Sequence, residues 1–240
     1  MSTASRPPYN QRLFGPGLRG RFHRARFEWV ARTADSLGIP CDAVLELGCF
    51  DGRLLDHLPR SPRVYKGFDA NWEGGLTAAR ARFGARAGHF FEYAAQAADL
   101  RLESGERFDL AVSLETLEHV PPAEVEPYLR IIARHLDGHF LVSVPNETGL
   151  VFVFKRLVKR LVAPGRARYS WREFFWLALG RTERVPRAEH KGFSYRALIA
   201  QIARHFEIVS VRGLPFSWLP PRFSPGVVIV ARSRRVDPQR

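Results

Sequence analysis

Two short runs in this 240-residue chain hold residue types that do chemistry, at spacings that let them do it. In VLELGCFDG, residues 44–52, an apolar alternation ends near the carboxyl of Glu46 and is followed by Gly48 and Gly52. A strand that runs into such a turn and opens a helix presents backbone N–H groups to a ligand. Asp69 closes VYKGFD twenty-one residues after Gly48, a spacing at which an acid accepts hydrogen bonds from ribose hydroxyls. Together these features point to a nucleoside-bearing cofactor, whereas a glycine turn alone is equally a βα connection that needs positive φ. Phe50 stands where such loops carry another glycine. Its amide can face a ligand if its φ is negative and its ring turns outward, and the ring can also cover the cofactor's edge.

The second run is LETLEH, residues 114–119, where Glu115, Glu118 and His119 are close enough to meet on one helical turn. Three readings stand. Carboxylates with an imidazole suit Mg²⁺ or Mn²⁺. A neutral His119 suits a general base, its pKa lying near the working pH. In the third reading Glu118 caps a helix and His119 is solvated.

The elements that must position these residues alternate. AVLELG (43–48), VYKGFD (64–69), ARAGHF (85–90), FDLAVSL (108–114) and HFLVSV (139–144) read as strands, with helices at 51–58, 72–83, 92–103 and 122–136 between them. Short connections between alternating elements predict an α/β fold with a doubly wound, mostly parallel sheet. A further helix at 194–205 leads to strands 206–211 and 226–231, joined by a Pro-rich loop too short for a crossover helix and therefore antiparallel. The chain divides into a basic N-terminal arm and cap helix (1–38), a cofactor-binding core (39–146), a basic, aromatic helical insertion (147–192), the C-terminal part of the core (193–232) and a flexible tail (233–240). In the cap helix, 19–37, Phe22, Phe27, Val30, Ala34 and Leu37 fall on one face.

The formal net charge of +13 is concentrated outside the core: residues 1–32 carry seven Arg against Glu28, and 148–192 carry eleven basic residues against three Glu. A basic collar predicts a polyanionic partner, a lipid headgroup surface or a nucleic acid. The scarcity of lysine (four in the chain) also fits an arginine-biased genome. Cys41 and Cys49 flank a strand whose extended geometry opposes a disulfide, which fits a reducing compartment. With neither a signal-like apolar region nor eighteen consecutive apolar residues, the expected location is cytoplasmic.

Within the insertion, LVFVFKRLVKRL (150–161) groups Phe154, Leu157, Val158 and Leu161 on one helical stripe and Lys155, Arg156, Lys159 and Arg160 on the other. That is the pattern of an interfacial helix too short to span a bilayer. It also fits a helix packed on the sheet with a solvated basic face. YSWREFFWLALG (169–180) adds aromatic residues suited to an interface, a lid or an internal core. These rings sit in apolar runs rather than singly among basic residues, which disfavours RNA.

VLELGCFDG, GFDA and FDLAVSLETLEHV resemble the class I S-adenosylmethionine-dependent methyltransferases, closely over 43–145 and loosely over 190–231. The resemblance implies a Rossmann-like sheet of seven strands with the last antiparallel, and S-adenosyl-L-methionine as cofactor. By that analogy Gly48 and Gly52 approach the methionine moiety, Asp69 the ribose and Leu114 the far side of the cofactor, with Glu46, Phe50 and Ala70 as further cofactor-binding candidates and Asp99 the candidate at the adenine. Phe50 departs from the family's glycine. LETLEH matches the E-x-x-E-H of ubiquinone-pathway O-methyltransferases and small-RNA 2′-O-methyltransferases, both of which use a metal there. This implies Glu115, Glu118 and His119 as ligands of Mg²⁺ or Mn²⁺, with His190 of EHKGFS as a further one. Related enzymes carry a similar LEH without metal, leaving His119 with Glu115 as catalytic groups. HKGFSYRAL is similar to bacterial methyltransferases acting on polysaccharide or glycolipid precursors. The expected function is O-methylation of a lipid-linked, glycan or quinone-like acceptor by an enzyme peripheral to the inner membrane. An RNA 2′-O-methyltransferase and a non-catalytic adaptor are the alternatives.

Overall fold

The computed structural model describes residues 18–162, 169–187 and 191–234. Seven strands form one mostly parallel sheet in the order β3-β2-β1-β4-β5-β7-β6. They are β1 (Ala43–Leu47), β2 (Val64–Asp69), β3 (His89–Tyr93), β4 (Phe108–Leu114), β5 (Leu136–Pro145), β6 (Phe206–Leu214) and β7 (Gly226–Ser233). The helices are α1 (Leu18–Leu37), α2 (Gly75–Phe83), α3 (Pro122–His135), α4 (Gly149–Val162), α5 (Trp171–Ala178) and α6 (Tyr195–His205). The chain divides into two compact units, Met1–Val112 with His135–Gly138, and Ser113–Arg134 with His139–Arg240.

In the first unit β1 pairs in parallel with β2, Glu46 opposite Gly67, and β2 with β3, Asp69 opposite Tyr93. Gly67 has no room for a side chain, because a Cβ there would lie 2.8 Å from the Cys49 sulfur. The close approach seats the loop after β1 directly on β2, where the amides of Gly48 and Cys49 both donate to the Phe68 carbonyl (2.7 and 3.1 Å). Lys66, buried in the middle of β2, is neutralised by Glu106 at 2.6 Å, since an unpaired buried ammonium is costly.

Three expectations shift here. Residues 51–58 form one 3₁₀ turn, Arg53–Asp56, in place of a helix. Pro59 and Pro62 follow closely and leave no length for further helical turns. The third strand begins at 89 and not 85, because Gly88 turns the chain at φ +77 hard against the Arg63 carbonyl. The segment 92–103 is the end of that strand and a 3₁₀ turn, Ala97–Asp99. Helix α1 buries Phe27, Val30 and Ala34 as its periodicity predicts, while Leu37 is exposed. Gly38 takes φ +62, and the Ile39 amide closes back on the Ala34 carbonyl (2.9 Å), so Ile39 fills the apolar position. The side chain of Phe22 lies outside the described residues.

In the second unit β7 runs antiparallel to both β5 and β6, and GVVIVA is buried throughout as befits a strand with neighbours on both sides. Helix α3 buries Val125, Tyr128, Leu129 and Ile132, one face at helical spacing. The insertion is anchored by Asn146, wholly buried. Its amide donates to the carbonyls of Pro221 and Ser224 (both 3.1 Å), and its oxygen accepts from the amide and hydroxyl of Thr148 (3.2 and 3.0 Å). The insertion has a small core of its own, Phe152, Leu177 and Val185, closed by Tyr169, Phe174 and Trp176.

Candidate active site

In the first unit the loop after β1 is left-handed at every second residue: Gly48 at φ +80, Phe50 at +45 and Gly52 at +71. Glycine adopts this conformation freely, whereas a residue with a Cβ gives up about 1–2 kcal/mol. The φ of Phe50 is therefore opposite in sign to the one that would turn its amide toward a ligand. That amide instead donates to Asp69 Oδ2 at 3.1 Å, and the ring packs against Gly75 so closely that a Cβ there would lie 2.2 Å from it. Phe50 thus joins the loop after β1 to the start of α2. Gly52 is required twice, by its φ and by the Phe83 ring 2.9 Å from where a Cβ would stand.

Asp69 accepts at both oxygens, from Phe50 and from the Trp72 amide at 3.3 Å. Burial raises its carboxyl pKa, while these backbone donors hold it down. A carboxylate fixed in this way at a strand end can still accept from the hydroxyls of a sugar, each oxygen having more than one lone pair. Ala70 beside it is exposed. Glu46 lies beneath the loop and not at its mouth. It is buried, it accepts from the Tyr65 hydroxyl, and burial raises its pKa to about 8 against the opposing influence of that hydrogen bond. Asp51, also buried, pairs with Arg53 at 2.9 Å. Asp99 is half-buried and accepts the Ala95 and Gln96 amides (2.9 and 3.0 Å), so its carboxylate caps its own turn. The alternating left-handed turn and the braced Asp69 fit a nucleoside cofactor.

In the second unit Leu114 is buried at the end of β4. LETLEH does not continue as helix. Glu115 bends at φ +53, its amide donates to the Ser143 carbonyl (2.9 Å), and Ser143 Oγ donates back to its carboxylate (3.2 Å). Residues 117–119 form a turn closed by the His119 amide on the Thr116 carbonyl (2.9 Å). Glu118 is buried, with Oε1 3.9 Å from Nε2 of the half-exposed His119. Because the bend sends Glu115 to Ser143, the three side chains do not share a helical turn as expected. Among the described residues no group of three or more His, Cys, Asp or Glu side chains could hold a metal ion, and the expected Mg²⁺ or Mn²⁺ set is not assembled. His190 lies outside the described residues.

One contributor gave no sequence signal. Arg187 reaches from the insertion to the Glu118 carbonyl (2.6 Å) and lies 4.8 Å over the Phe193 ring, fixing the turn that carries His119. With Leu117, Val125, Phe193, Leu198 and Gln201 it lines a cavity of about 260 Å³. Arg187 was one of many arginines in a basic stretch, and neither a carbonyl partner nor a ring partner shows in spacing.

A family model described as a methyltransferase domain matches residues 18–206. Over 133 residues, 53% of this chain and 51% of the relative, the sequence is 27% identical to a ubiquinone biosynthesis O-methyltransferase of Chelativorans sp. (strain BNC1). The chain thus spans about half the length of that curated relative. Among solved structures it is similar to a magnesium protoporphyrin IX methyltransferase from Synechocystis PCC 6803 with bound S-adenosylhomocysteine (TM-score 0.56, 18% identity, 92% of this chain and 91% of that one). It is also similar to an S-adenosylmethionine-dependent methyltransferase from Clostridium acetobutylicum ATCC 824 (TM-score 0.62, 12% identity, 93% and 95%). With the sheet order and the loop after β1 already in place, these matches show that the chain belongs to the methyltransferase-domain family and has the fold of the class I S-adenosylmethionine-dependent methyltransferases.

Proposed function

We propose that this protein transfers a methyl group from S-adenosyl-L-methionine to an oxygen atom of a lipid-linked, glycan or quinone-like acceptor at a membrane surface. The observation that carries the reading is the loop after β1, left-handed at 48, 50 and 52 and hydrogen-bonded through Phe50 to Asp69. Maintaining a left-handed phenylalanine costs free energy that a purely structural turn would avoid with glycine. When bound, the cofactor supplies an activated methyl on a sulfonium, so the protein's remaining tasks are alignment of the acceptor and removal of its proton.

His119 is the residue proposed to take that proton. Its ring is half exposed, its backbone is fixed by Thr116, and the Glu118 carboxyl 3.9 Å away stabilises the imidazolium formed. Glu115, held by Ser143, shapes the same turn. The oxygen preference and the quinone-like acceptor take support from the ubiquinone O-methyltransferase similarity, and the membrane setting from the character of the insertion.

The test is transfer of an isotopically labelled methyl group into a bacterial lipid extract, a soluble glycan fraction and total RNA, assayed in parallel with and without EDTA. Base-stable label in the lipid or glycan fraction, unaffected by the chelator, is the expected result. Label confined to RNA would replace the reading with its nucleic-acid alternative, and absence of label in every fraction would favour a non-catalytic adaptor.

A further inference from the structure

Helix α4 is mounted with its apolar stripe outward. Leu150, Phe154 (67% exposed), Leu157 and Val158 recur at the spacing of one helical face, and all four are exposed. Two of its cations turn inward instead: Lys155 Nζ donates to the Asn146 carbonyl and pairs with Glu147 (both 3.0 Å), and the Arg156 guanidinium lies 4.0 Å over the Tyr169 ring. In a globular protein the stripe would face the core. Here Phe152, with the partly buried Val153 beside it, is what the insertion's core takes from α4.

The outward stripe does not stand alone. Helix α4 packs against α5 and against the turn Pro221–Phe223. On α5 Trp171 (86% exposed) and Phe175 are uncovered, and beside that turn Phe216 and Trp218 (77% exposed) lie 6.1 Å apart, ring to ring, in solvent. Exposed Arg160, Arg172, Arg181 and Arg184 belong to the same elements and the turn after α5. The carboxylates among the described residues of α4 through 184 are Glu173, held by Lys191, and Glu183, near Arg181 (3.8 Å).

We infer that this face is a docking surface for an anionic lipid bilayer, with the α4 stripe lying in the plane of the interface and the tryptophans at headgroup depth. Amphipathic indoles favour that depth, exposed guanidinium groups match anionic headgroups, and an outward apolar stripe about 12 Å long suits shallow burial. A second copy of the chain would bring the same exposed arginines against themselves. The inference extends the proposed membrane delivery of the acceptor and is independent of catalysis.

Flotation of the full chain with vesicles of phosphatidylglycerol and phosphatidylcholine, beside vesicles of phosphatidylcholine alone, is the test. Co-migration with the anionic vesicles is expected. The Phe154→Ser/Trp171→Ser double variant is expected to lose it by about tenfold, since binding scales with buried apolar area, while keeping the wild-type circular dichroism and affinity for S-adenosylhomocysteine. Trp218→Phe supplies a second reading, because the wild-type blue shift of tryptophan emission on anionic vesicles should diminish in this variant. No co-migration, co-migration unchanged in the double variant, or a stable dimer in sedimentation that the double variant dissolves would each overturn the inference. Loss of S-adenosylhomocysteine binding by the wild type would instead strike the cofactor reading and leave this one standing.

Discussion

Phe50 and Asp69 form the hinge of the cofactor reading, and their chemistry sets unequal demands. What matters at 50 is the left-handed backbone, so Phe50→Gly should bind S-adenosylhomocysteine within about threefold of wild type. Phe50→Val, β-branched and strained at φ +45, should bind at least about tenfold more weakly. Calorimetry on the two variants checks this, and a Gly variant that fails to bind would show that the ring itself contacts the ligand. Asp69→Ala removes the acceptor of two amides as well as the proposed sugar partner and should cost about tenfold or more in affinity, whereas Asp69→Asn retains one acceptor oxygen and should lose less. Glu46 makes a pH prediction. Its folded pKa of about 8 lies above the ordinary 4.5, so its protonated form favours the folded state fully below about pH 4.5, and that contribution declines as pH rises through 8. Glu46→Gln should flatten the fall in thermal midpoint expected of the wild type between pH 5 and pH 9, to which this one proton adds at most about 1.4 kcal/mol per pH unit. The acids and glycines of this loop were legible in the sequence because type and spacing suffice to find them. That Glu46 lies under the loop with Tyr65 was not, since burial of a strand-end carboxyl depends on which neighbour carries a hydroxyl.

Elements were legible where an apolar run or a one-sided helical stripe is bounded by turn residues. Strands β2 and β4, buried on both faces, and helix α3, buried on one, fall where their apolar runs and helical spacing place them. The misplacements share a cause, a turn whose chemistry overrode the periodic signal: Gly88 delayed β3, and the proline-flanked stretch after Gly52 held 51–58 to a single 3₁₀ turn. Gly52→Ala tests that turn chemistry. A Cβ at φ +71, 2.9 Å from the Phe83 ring, should destabilise the fold by about 1–3 kcal/mol in urea unfolding, and an unchanged midpoint would mean that the loop relaxes without cost. The orientation of α4 was the least legible feature. Its two faces were plain in the sequence, but periodicity does not say which face turns inward. Asn146 and the ring of Tyr169 decide that, and neither belongs to the helix.

At the scale of the whole molecule, the chain carries a net charge of +13, no helix among its described residues is long and apolar enough to cross a membrane, and the meeting with a bilayer inferred above is that of the α4 face. If charge alone drove that meeting, binding would vanish as salt screens it. With the α4 stripe inserted, vesicle association should weaken between about 50 and 300 mM salt yet leave a residue of binding that the Phe154→Ser/Trp171→Ser change removes. The fold class and the family were readable early because strand, glycine turn and acid recur in a fixed order. The acceptor was not, and the cavity beside the His119 turn shows why: its walls, Arg187 and Phe193 among them, come from segments with no spacing rule of their own. Isothermal titration of the wild-type protein with S-adenosylhomocysteine addresses the cofactor site itself. Saturable one-to-one binding with a dissociation constant below about 100 µM, weakened about tenfold or more in Asp69→Ala, is expected; a folded wild-type protein that releases no heat at that ligand concentration would contradict it.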